Sequence, residues 1–418
     1  MQYFSLVGNY VIIMLMKTVY VGMSGGVDSS VSALILKEQG YKVTGVYMKN
    51  WSRDLPGMKC PWAEDLADAK RVAVRLGIDF EVWDFEKAYR EKVVEYMLEE
   101  FRKGNTPNPD IMCNQEIKFK LFYEKAMAAG ADYIATGHYA RVKPFSGTPR
   151  LLRAVDENKD QTYFLYRISD EALAHTIFPI GGMLKPEVKK LAEKKGLHNA
   201  YKKESMGVCF VGEVGMKDFL KEYIDVQPGE IREIESDHVL GYHEGAVFYT
   251  IGQRHGLYLD GEKGVMNDGL PYYVVKKDID NNIVYVSKNL NHAAIWTNNL
   301  KLKDLFFRSW PRPASPSTKV ACSSSSRKNE PARSSLVSSG SLPRVAGANS
   351  RAAALRIATS QKKSSSNIGV RLRHRAPLIP ATFDGDTLRF ESEIKRPASG
   401  QSAVFYDGEV CLGGGIIV

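Results

Sequence analysis

Strand-like and helix-like runs alternate along residues 17–200, and this alternation limits the fold more than any other feature of the 418-residue chain. Short apolar runs, most of them rich in β-branched or aromatic residues, predict strands at 18–23, 42–48, 80–85 and 132–138. Amphipathic runs, several of them ending at Gly, predict helices at 29–40, 63–77, 86–104, 116–130 and 184–196. Repeated βα units predict an α/β fold with a doubly wound parallel sheet, whose ligands bind beyond the carboxyl ends of the strands.

The composition changes after this region. Residues 210–290 are richer in Gly, Tyr and Val, and "YYVVKKD" and "NIVYVSK" flank a turn as a hairpin would. Alternating apolar positions and Gly turns near the end predict a closing β-barrel. We therefore expect four parts: an N-terminal extension (1–15), an α/β domain (16–212), a small β-rich middle domain (213–290) and a C-terminal β-barrel (291–418).

A polar segment at 309–366 interrupts the expected barrel. It holds 17 serines in 58 positions, and no aromatic residue occurs from 311 to 382. Such a segment cannot bury enough apolar surface to offset its ordering entropy, so we expect a disordered insert or a locally mistranslated stretch. Residues 308–375 carry 14 Lys and Arg with one Glu, so the net charge of +9 comes from this stretch and says little about the rest.

Cysteine usage and hydropathy bound the compartment. Five widely spaced cysteines suit a reducing cytosol, and no C-x-x-C pair is present, so we expect no structural zinc site. The apolar run at 10–16 has no basic flank or cleavage site and is too short to span a bilayer, so we expect no signal peptide and no membrane association. The stretch from Met16 has the look of a natural chain start, and the expected location is the cytoplasm.

The motif "SGGVDSS", Ser24–Ser30, lies between the first strand and the first helix. Small residues let backbone N–H groups converge on a phosphate, and a helix N-terminus adds partial positive charge. No Gly-Lys-[Ser/Thr] follows, so this is not a Walker A loop. The motif resembles the PP-loop of ATP pyrophosphatases, which implies a pyrophosphate cradle with Asp28 also placed to hold Mg²⁺. The alternative is an ordinary Gly-rich turn.

The stretch "NTPNPDIMCNQEIKF", residues 105–119, places Cys113 just behind a rigid polar turn. From the residues alone, Cys113 is either a small hydrophobe or a chemical group, and "TPNPD" is either a binding turn or a simple helix entry. Cys209 lies in the apolar run "MGVCFV", which by itself is typical of a buried core cysteine. Cys60 and Cys411 are interpreted as structural, and Cys322 as incidental.

Beyond these motifs the chain resembles the tRNA-specific 2-thiouridylase (MnmA) family over nearly its whole length, apart from residues 1–15 and the insert. The stretches that carry the resemblance are "GMSGGVDSSV", "GVYMKNW", "EDLADAKRVAVRLGI", "GNTPNPDIMCNQEIKF", "ATGHYAR", "KDQTYFLY", "ESMGVCFVGE", "YTIGQRHGL" and "GQSAVFYDGEVCLGGGII". The resemblance implies an adenine nucleotide alpha-hydrolase-like fold and an ATP-dependent sulfurtransferase that makes 2-thiouridine at the wobble position of tRNA.

The resemblance also implies residue roles. ATP would be bound by Gly22, Met23, Ser24, Gly25, Gly26, Val27, Asp28, Ser29, Met48 and Gly137. The target uridine would contact Asn108, Pro109 and Asp110. The catalytic pair would be Cys113 and Cys209, of which Cys209 carries the persulfide. The tRNA would contact Lys159, Asp160, Gln161 and, in the last domain, Arg373 and His374, where the family usually has Arg-Tyr.

The residue types suit this chemistry. A uridine C2 oxygen becomes a leaving group once it is adenylated, and a cysteine persulfide delivers sulfur in a controlled form. A second thiol releases that sulfur by protonation or by forming a disulfide, and Asp110 is placed as a local acid or base. The run "VRLRHR" (370–375) supplies three arginines that we expect on one face of a strand, where they would contact the tRNA backbone.

The expected cofactors are ATP with Mg²⁺ and a persulfide sulfur donor, with no resident metal. The expected partners are the tRNAs for Lys, Glu and Gln and a cysteine desulfurase or sulfur-relay protein, and the expected state is a monomer. Two rival functions stay open. One is another PP-loop enzyme, such as a tRNA 4-thiouridine synthetase or an amide-forming synthetase. The other is a tRNA-binding protein inactivated by its insert.

Overall fold

The computed structural model of the protein describes residues 4–7, 10–13, 16–54, 60–203, 215–259, 270–308 and 367–418. The predicted insert at 309–366, and with it Cys322, lies outside these residues, as does Cys209. At the N-terminus, β1 (Phe4–Val7) and β2 (Tyr10–Ile13) form an antiparallel hairpin within the predicted extension.

A five-stranded parallel sheet follows, as the alternation predicts. Its strands are β3 (Thr18–Gly22), β4 (Lys42–Lys49), β5 (Asp79–Asp84), β6 (Tyr133–Thr136) and β9 (Thr176–Ile177), in the spatial order β5-β4-β3-β6-β9. The order reverses at β3, so the loop after β3 lies at the switch point where doubly wound sheets bind ligands.

Helices connect these strands. The first two are α1 (Val27–Glu38) and α2 (Trp62–Leu76), and α2 ends at Gly77 in the left-handed conformation. A long helix consists of α3 (Glu86–Tyr89), a π-helical stretch (Arg90–Val94) and α4 (Glu95–Arg102). A second consists of α5 (Pro109–Met112), a π-helical stretch (Cys113–Leu121) and α6 (Phe122–Ala128). The later helices are α7 (Thr162–Leu165), α8 (Asp170–Ala174) and α9 (Lys185–Lys194).

The middle region begins with α10 (Met216–Lys221) and contains a four-stranded sheet of order β11-β10-β13-β12. Its strands are β10 (Gly229–Glu233), β11 (Val239–His243), β12 (Tyr273–Asp278) and β13 (Ile283–Ser287), with a short 3₁₀ helix at Ala246–Phe248. The last two strands form the antiparallel pair predicted from the sequence, and apolar side chains of all four strands make a separate small core.

The C-terminal strands close into a six-stranded antiparallel barrel. They are β14 (Trp296–Phe307), β15 (Asn367–Arg371), β16 (Ile379–Asp384), β17 (Thr387–Lys395), β18 (Ser402–Asp407) and β19 (Val410–Ile417). The spatial order is β14-β17-β16-β15-β18-β19, and β19 pairs back onto β14. The hairpin of β7 (Arg141–Phe145) and β8 (Thr148–Leu152) belongs to the α/β region but joins the barrel through Leu152 and Val410.

Two local expectations were wrong. The helix predicted at 116–130 begins at Pro109, because Asn108 caps it and Pro109 is well suited to a first turn, so Cys113 lies inside the helix. The three arginines of "VRLRHR" do not share a strand face. Strand β15 ends at Arg371, which is buried, whereas Arg373 and Arg375 are exposed in a turn where Arg375 has φ +63°.

The apolar core is largest around the α/β domain, where it also includes Val404, Tyr406 and Cys411 of the barrel. The two regions therefore share buried side chains. None of the helices in the described ranges is both long and apolar enough to cross a membrane.

Candidate active site

The turn between β3 and α1 has the geometry of an anion-binding loop. Gly25 has φ +75°, a conformation that favours glycine, and a Cβ there would lie 2.4 Å from the carbonyl oxygen of Asp65. No side chain caps α1 at Gly26, so the first N–H groups of the helix have no cap to satisfy them. The backbone N–H of Ser24 donates to Ser29 Oγ at 3.2 Å, which curls the loop over the start of the helix. The arrangement suits phosphate oxygens.

Neighbouring residues fix this loop from several sides. A Cβ on Gly137 would lie 2.6 Å from Ser29 N, so the segment after β6 packs directly on the first turn of α1. A Cβ on Gly22 would lie 2.8 Å from the terminal methyl of Met48, which brings that predicted ATP contact to the end of β3. Asn199 donates from its amide nitrogen to Gly25 O at 2.9 Å and to Ser30 Oγ at 2.8 Å.

Asp28 is engaged by protein groups. Lys185 Nζ lies 2.7 and 2.8 Å from its two carboxylate oxygens, and the Tyr139 hydroxyl donates to it at 3.0 Å. Lys185 is buried, so the pair is partly shielded from water. These three contacts use only part of the capacity of the carboxylate, because each ionised oxygen has two lone-pair sites, so the magnesium contact of Asp28 stays a prediction. Among the described residues, no group of three or more His, Cys, Asp and Glu side chains could hold a metal.

The predicted base-binding turn forms the start of the second long helix. Asn108 Oδ1 accepts from Asp110 N at 3.1 Å, and Pro109 is buried. Burial raises the pKa of the Asp110 carboxyl, and the charge of Lys118 opposes that shift in part. A carboxyl with a raised pKa holds its proton to higher pH, which suits a group that gives or takes a proton. Cys113, one turn further on, is 3% exposed.

The Cys113 helix contacts both the segment predicted to bind the nucleotide and the segment predicted to contact tRNA. The amide of Asn114 donates to Phe164 O at 3.2 Å, and the ring of Phe119 lies 5.8 Å from that of His138, the residue after Gly137. Burial holds the pKa of His138 well below its usual range, and Thr136 Oγ1 lies 2.8 Å from His138 Nδ1. His138 is therefore a neutral ring packed between the loop and the helix.

Residues just before the base-binding turn are held by the middle region and the barrel. Lys277 Nζ donates to Gly104 O at 2.7 Å, and burial lowers the pKa of this lysine to about 8. Thr106 N donates to Ser399 O at 2.7 Å, and Gln401 Nε2 donates to Thr106 O at 2.6 Å. The entry to the Cys113 helix is thus held by two other parts of the chain.

The predicted tRNA contacts occupy different environments. Lys159 and Gln161 are half-buried, and Gln161 Oε1 accepts from Tyr139 N at 2.9 Å. Asp160 is only 1% exposed. Arg373 is exposed, and the ring of His374 lies 4.6 Å from that of Phe164.

His374 is uncharged at neutral pH. Its pKa is lowered to about 4, mainly by burial and then by the charge of Arg375. Any contact it makes with tRNA is therefore that of a neutral ring.

Three of the five cysteines lie within the described residues. Cys60, Cys113 and Cys411 are buried, and burial raises the pKa of the Cys411 thiol to about 11. A thiol with so high a pKa is a poor nucleophile at neutral pH, which fits the structural interpretation of Cys411. The predicted roles of Cys113 and Cys209 stay predictions, since Cys209 lies outside the described residues.

Three residues of the nucleotide loop were missed from the sequence: Tyr139, Lys185 and Asn199. Lys185 begins α9, for which the sequence predicted a helix and no functional role, yet it is buried against Asp28. Asn199 follows α9 in a segment without any motif. Only Tyr139 had a signal, because it directly follows the predicted contact Gly137 and its neighbour His138 in "TGHYA".

Comparisons with known proteins identify the family. The tRNA methyl transferase HUP domain description matches residues 17–213, the tRNA methyl transferase PRC-barrel domain 217–288, and the aminomethyltransferase beta-barrel domain 351–417. Proteins named tRNA-specific 2-thiouridylase MnmA are similar along their length. Those of Listeria monocytogenes serotype 4b and Listeria welshimeri serovar 6b are 42% and 43% identical over 400 residues, and each match covers 96% of this chain and 94% of the relative.

The match with the protein of the same name from Pseudomonas savastanoi pv. phaseolicola is 41% identical over 402 residues, with 96% and 94% coverage. A solved 4-thiouridine synthetase–RNA complex with bound ATP is 18% identical, covering 45% of this chain and 43% of that one, at a TM-score of 0.30, too low to support a conclusion. The full-length relatives are sufficient. The chain belongs to the tRNA-specific 2-thiouridylase (MnmA) family.

Proposed function

We propose that this chain is an ATP-dependent tRNA-uridine 2-sulfurtransferase that converts the wobble uridine of tRNA to 2-thiouridine. The observation that carries the proposal is the similarity of 41–43% over 96% of the chain to proteins named for this activity. The arrangement of the site supports it, because an anion-binding turn, a capped helix with a buried thiol and a tRNA-contacting segment pack on one another.

The first step is adenylation of the base. The turn at 24–29 and the N-terminus of α1 hold the phosphates of ATP, and Lys185 beside Asp28 adds positive charge nearby. The uridine O2 attacks the α-phosphorus, the bond to the β-phosphate breaks and pyrophosphate leaves. Asp28, at the start of α1, would hold a magnesium ion that comes with the nucleotide, and that ion would neutralise negative charge on the phosphates.

The second step is sulfur transfer. The terminal sulfur of a persulfide on Cys209 adds at C2 of the uridine, and AMP leaves with the former O2. The Cys113 thiolate then attacks the sulfur of Cys209 that is still bonded to the transferred atom. A Cys113–Cys209 disulfide forms, 2-thiouridine is released, and a thiol reductant restores both cysteines. In the other order of these steps, the Cys113 thiolate attacks the sulfur of Cys209 first, the Cys113–Cys209 disulfide forms, and the released hydrosulfide adds at C2 while AMP leaves.

Asp110 is proposed to move a proton beside the base. It lies in the same short helix as the residue before Cys113, and its raised pKa keeps the carboxyl protonated to higher pH than an exposed aspartate would be. The neutral form can donate to a departing oxygen, and the ionised form can take the proton of N3. Asn108 and Pro109 would shape the pocket around the base.

The partners follow from this reaction. A wobble uridine is unpaired in the anticodon loop and can be turned out of the stack into a pocket. We propose the tRNAs for Lys, Glu and Gln as substrates, a cysteine desulfurase or sulfur-relay protein as donor, a cytoplasmic location and a monomeric state. Lys159, Gln161 and Arg373 supply polar and positive groups for the RNA.

The test is product analysis. Purified protein is incubated with unmodified tRNA, a persulfide donor and ATP, the RNA is digested to nucleosides, and these are resolved by mass spectrometry. We expect 2-thiouridine with ATP and none with a non-hydrolysable α,β analogue. Cys322→Ser serves as the matched cysteine control and is expected to retain activity.

The outcomes separate the rival functions. Sulfur at C4 of a uridine would indicate a 4-thiouridine synthetase, and turnover that survives Cys113→Ser would favour an amide-forming enzyme. Tight tRNA binding by a folded protein that releases no pyrophosphate would point to an inactive tRNA-binding protein.

A further inference from the structure

Asp160 stands in the segment expected to contact tRNA, yet the protein uses its whole carboxylate. Oδ1 accepts from Ala154 N at 3.2 Å and from Thr162 Oγ1 at 2.9 Å, and Oδ2 accepts from Arg371 Nη1 at 2.6 Å. The residue is 1% exposed. A carboxylate with these partners has no accessible edge to offer to a nucleotide.

Arg371 holds the other side of the pair. It is the last residue of β15, and its side chain is 4% exposed. Its guanidinium lies 5.2 Å from the ring centre of Tyr406 in β18, whose hydroxyl is 3.1 Å from Thr162 Oγ1. The ion pair and its neighbours therefore connect β15 and β18 of the barrel to Asp160, which lies two residues before α7.

A second buried arginine fixes the other end of the same segment. Arg308, directly after β14, donates to Leu165 O at 3.1 Å and to Tyr166 O at 3.3 Å, and it lies 3.2 Å from an oxygen of Asp170. Between the two arginines, the hydroxyl of Tyr163 donates to Ser402 O at 3.0 Å. Residues 160–170 are thus docked on the barrel along their whole length.

We propose that Asp160 is a positioning residue rather than a tRNA contact, and that its buried pair with Arg371 lets the barrel set the orientation of Lys159 and Gln161 toward the tRNA. The inference rests on the proposed function for its substrate and adds to it a division of roles within one tripeptide. Lys159 and Gln161 flank Asp160, so moving the carboxylate moves both.

The link extends to the nucleotide loop. Gln161 is bonded through its side chain to the backbone of Tyr139, and the hydroxyl of Tyr139 donates to Asp28. A barrel that holds Asp160 therefore holds a segment that touches the ATP loop and the tRNA face together.

The test is a set of variants in the full chain: Asp160→Asn, Lys159→Ala, Arg371→Met and the pairwise doubles with Asp160→Asn. Affinity for unmodified tRNA is measured across a salt series, ATP affinity is measured in parallel, and thermal unfolding is recorded for each variant. Glu193→Gln is the control, because it removes an acidic charge from an exposed side chain of α9.

If Asp160 positions Lys159, Asp160→Asn weakens tRNA binding about tenfold and lowers the salt slope by about 0.8, as loss of one phosphate contact does. Lys159→Ala gives the same slope change at an unaltered unfolding temperature. The double Lys159→Ala/Asp160→Asn is no weaker in binding than Asp160→Asn alone. ATP affinity falls less than tRNA affinity does, because the Asp160 pair reaches the ATP loop only through Gln161 and Tyr139.

A direct contact gives a different pattern. Asp160→Asn would then leave the salt slope and the unfolding temperature unchanged, and its effect would multiply with that of Lys159→Ala. That result would overturn the proposal. Should Asp160→Asn fail to fold, Asp160→Asn/Arg371→Met decides, because it removes both charges of the buried pair, and Arg153, which lies 3.6 Å from Asp160, keeps Glu157 as a partner. If the double also fails to fold, the pair supports the whole chain and the local role is rejected.

Measurements on the wild-type protein distinguish a failure of the proposed function from a failure of the positioning role of Asp160. If it neither binds nor thiolates tRNA, the proposed function fails. If it does both while the variants follow the direct-contact pattern, only the positioning role of Asp160 fails.

Discussion

The ATP loop and the turn before Cys113 lie in the same α/β domain but are supported in different ways. Among the described residues, the neighbours that directly contact the proposed ATP loop come from that domain: Gly137, Tyr139, Lys185 and Asn199. The turn before Cys113 is held by Lys277 of the middle region and by Ser399 and Gln401 of the barrel. We therefore expect nucleotide binding to depend mainly on the α/β domain, and base positioning to depend on the middle region and the barrel as well.

The largest effect should come from a substitution that displaces the proposed ATP loop. In Gly137→Ala the new Cβ would lie 2.6 Å from Ser29 N and 2.8 Å from Asp28 C, both backbone atoms that cannot move aside. We expect ATP affinity, measured by titration calorimetry, to fall by about two orders of magnitude, since a displacement of about 1 Å has that cost.

Gly182→Ala is the control for that substitution, because nothing lies within 4 Å of the new Cβ. An unchanged ATP affinity in Gly137→Ala would show that the loop tolerates displacement. The proposed difference in support between this loop and the turn before Cys113 would then fail.

A smaller effect is expected from weakening the contacts that hold the turn before Cys113. Gln401→Leu removes the donor to Thr106 O and leaves that carbonyl without the partner, at a cost of about 1–3 kcal/mol. We predict that kcat/KM for tRNA falls about fivefold or more while ATP affinity stays unchanged. Gln227→Leu, on an exposed side chain, is the control. An equal loss of ATP affinity would mean that the two loops are not separately supported.

Lys277, which also holds this turn, makes the free energy of unfolding dependent on pH. Its pKa is about 8 in the folded protein against an ordinary value of 10.5, so from pH 8 to pH 10.5 the unfolded chain retains a proton that the folded chain has lost. The free energy of unfolding contributed by this group therefore rises with pH across that window. Urea unfolding of Lys277→Met should lack the rise, and Lys276→Met, next to it and exposed, should retain it. A rise of equal size in both variants would assign it to other groups.

The smallest effect is expected from the insert. The barrel strands on either side of it, β14 and β15, pair with other strands of the described residues. Replacing Pro311–Ser366 by a short Gly-Ser linker should leave the unfolding temperature unchanged or slightly raised, because its composition predicts little apolar burial. A large fall in unfolding temperature would show that the segment is folded structure.

Local patterns predicted most of the fold and the turn between β3 and α1. The βα alternation needs only periodicity and Gly stops, and "SGGVDSS" contains its own strand-to-helix turn. Contacts made across the chain were not predictable in the same way. Arg371 was expected on an exposed face, but its partner Asp160 is 211 residues away, and nothing local indicates such a pair.

The same reasoning explains the misplaced helix start. "TPNPD" contains the signals of both a turn and a helix N-terminus, and the cap by Asn108 with Pro109 in the first turn favours the helix. As a result Cys113 lies on a helix whose Asn114 and Phe119 contact the two other parts of the site. Its environment is fixed by tertiary packing rather than by the turn.

The central claim is that Cys113 and Cys209 together transfer one sulfur to the uridine. The most direct measurement is one turnover without reductant, in which 2-thiouridine and the disulfide-linked peptides of Cys113 and Cys209 are quantified by mass spectrometry in the same sample. We expect one Cys113–Cys209 disulfide for each 2-thiouridine formed, and neither product in Cys113→Ser. Undiminished 2-thiouridine formation by Cys113→Ser would contradict it.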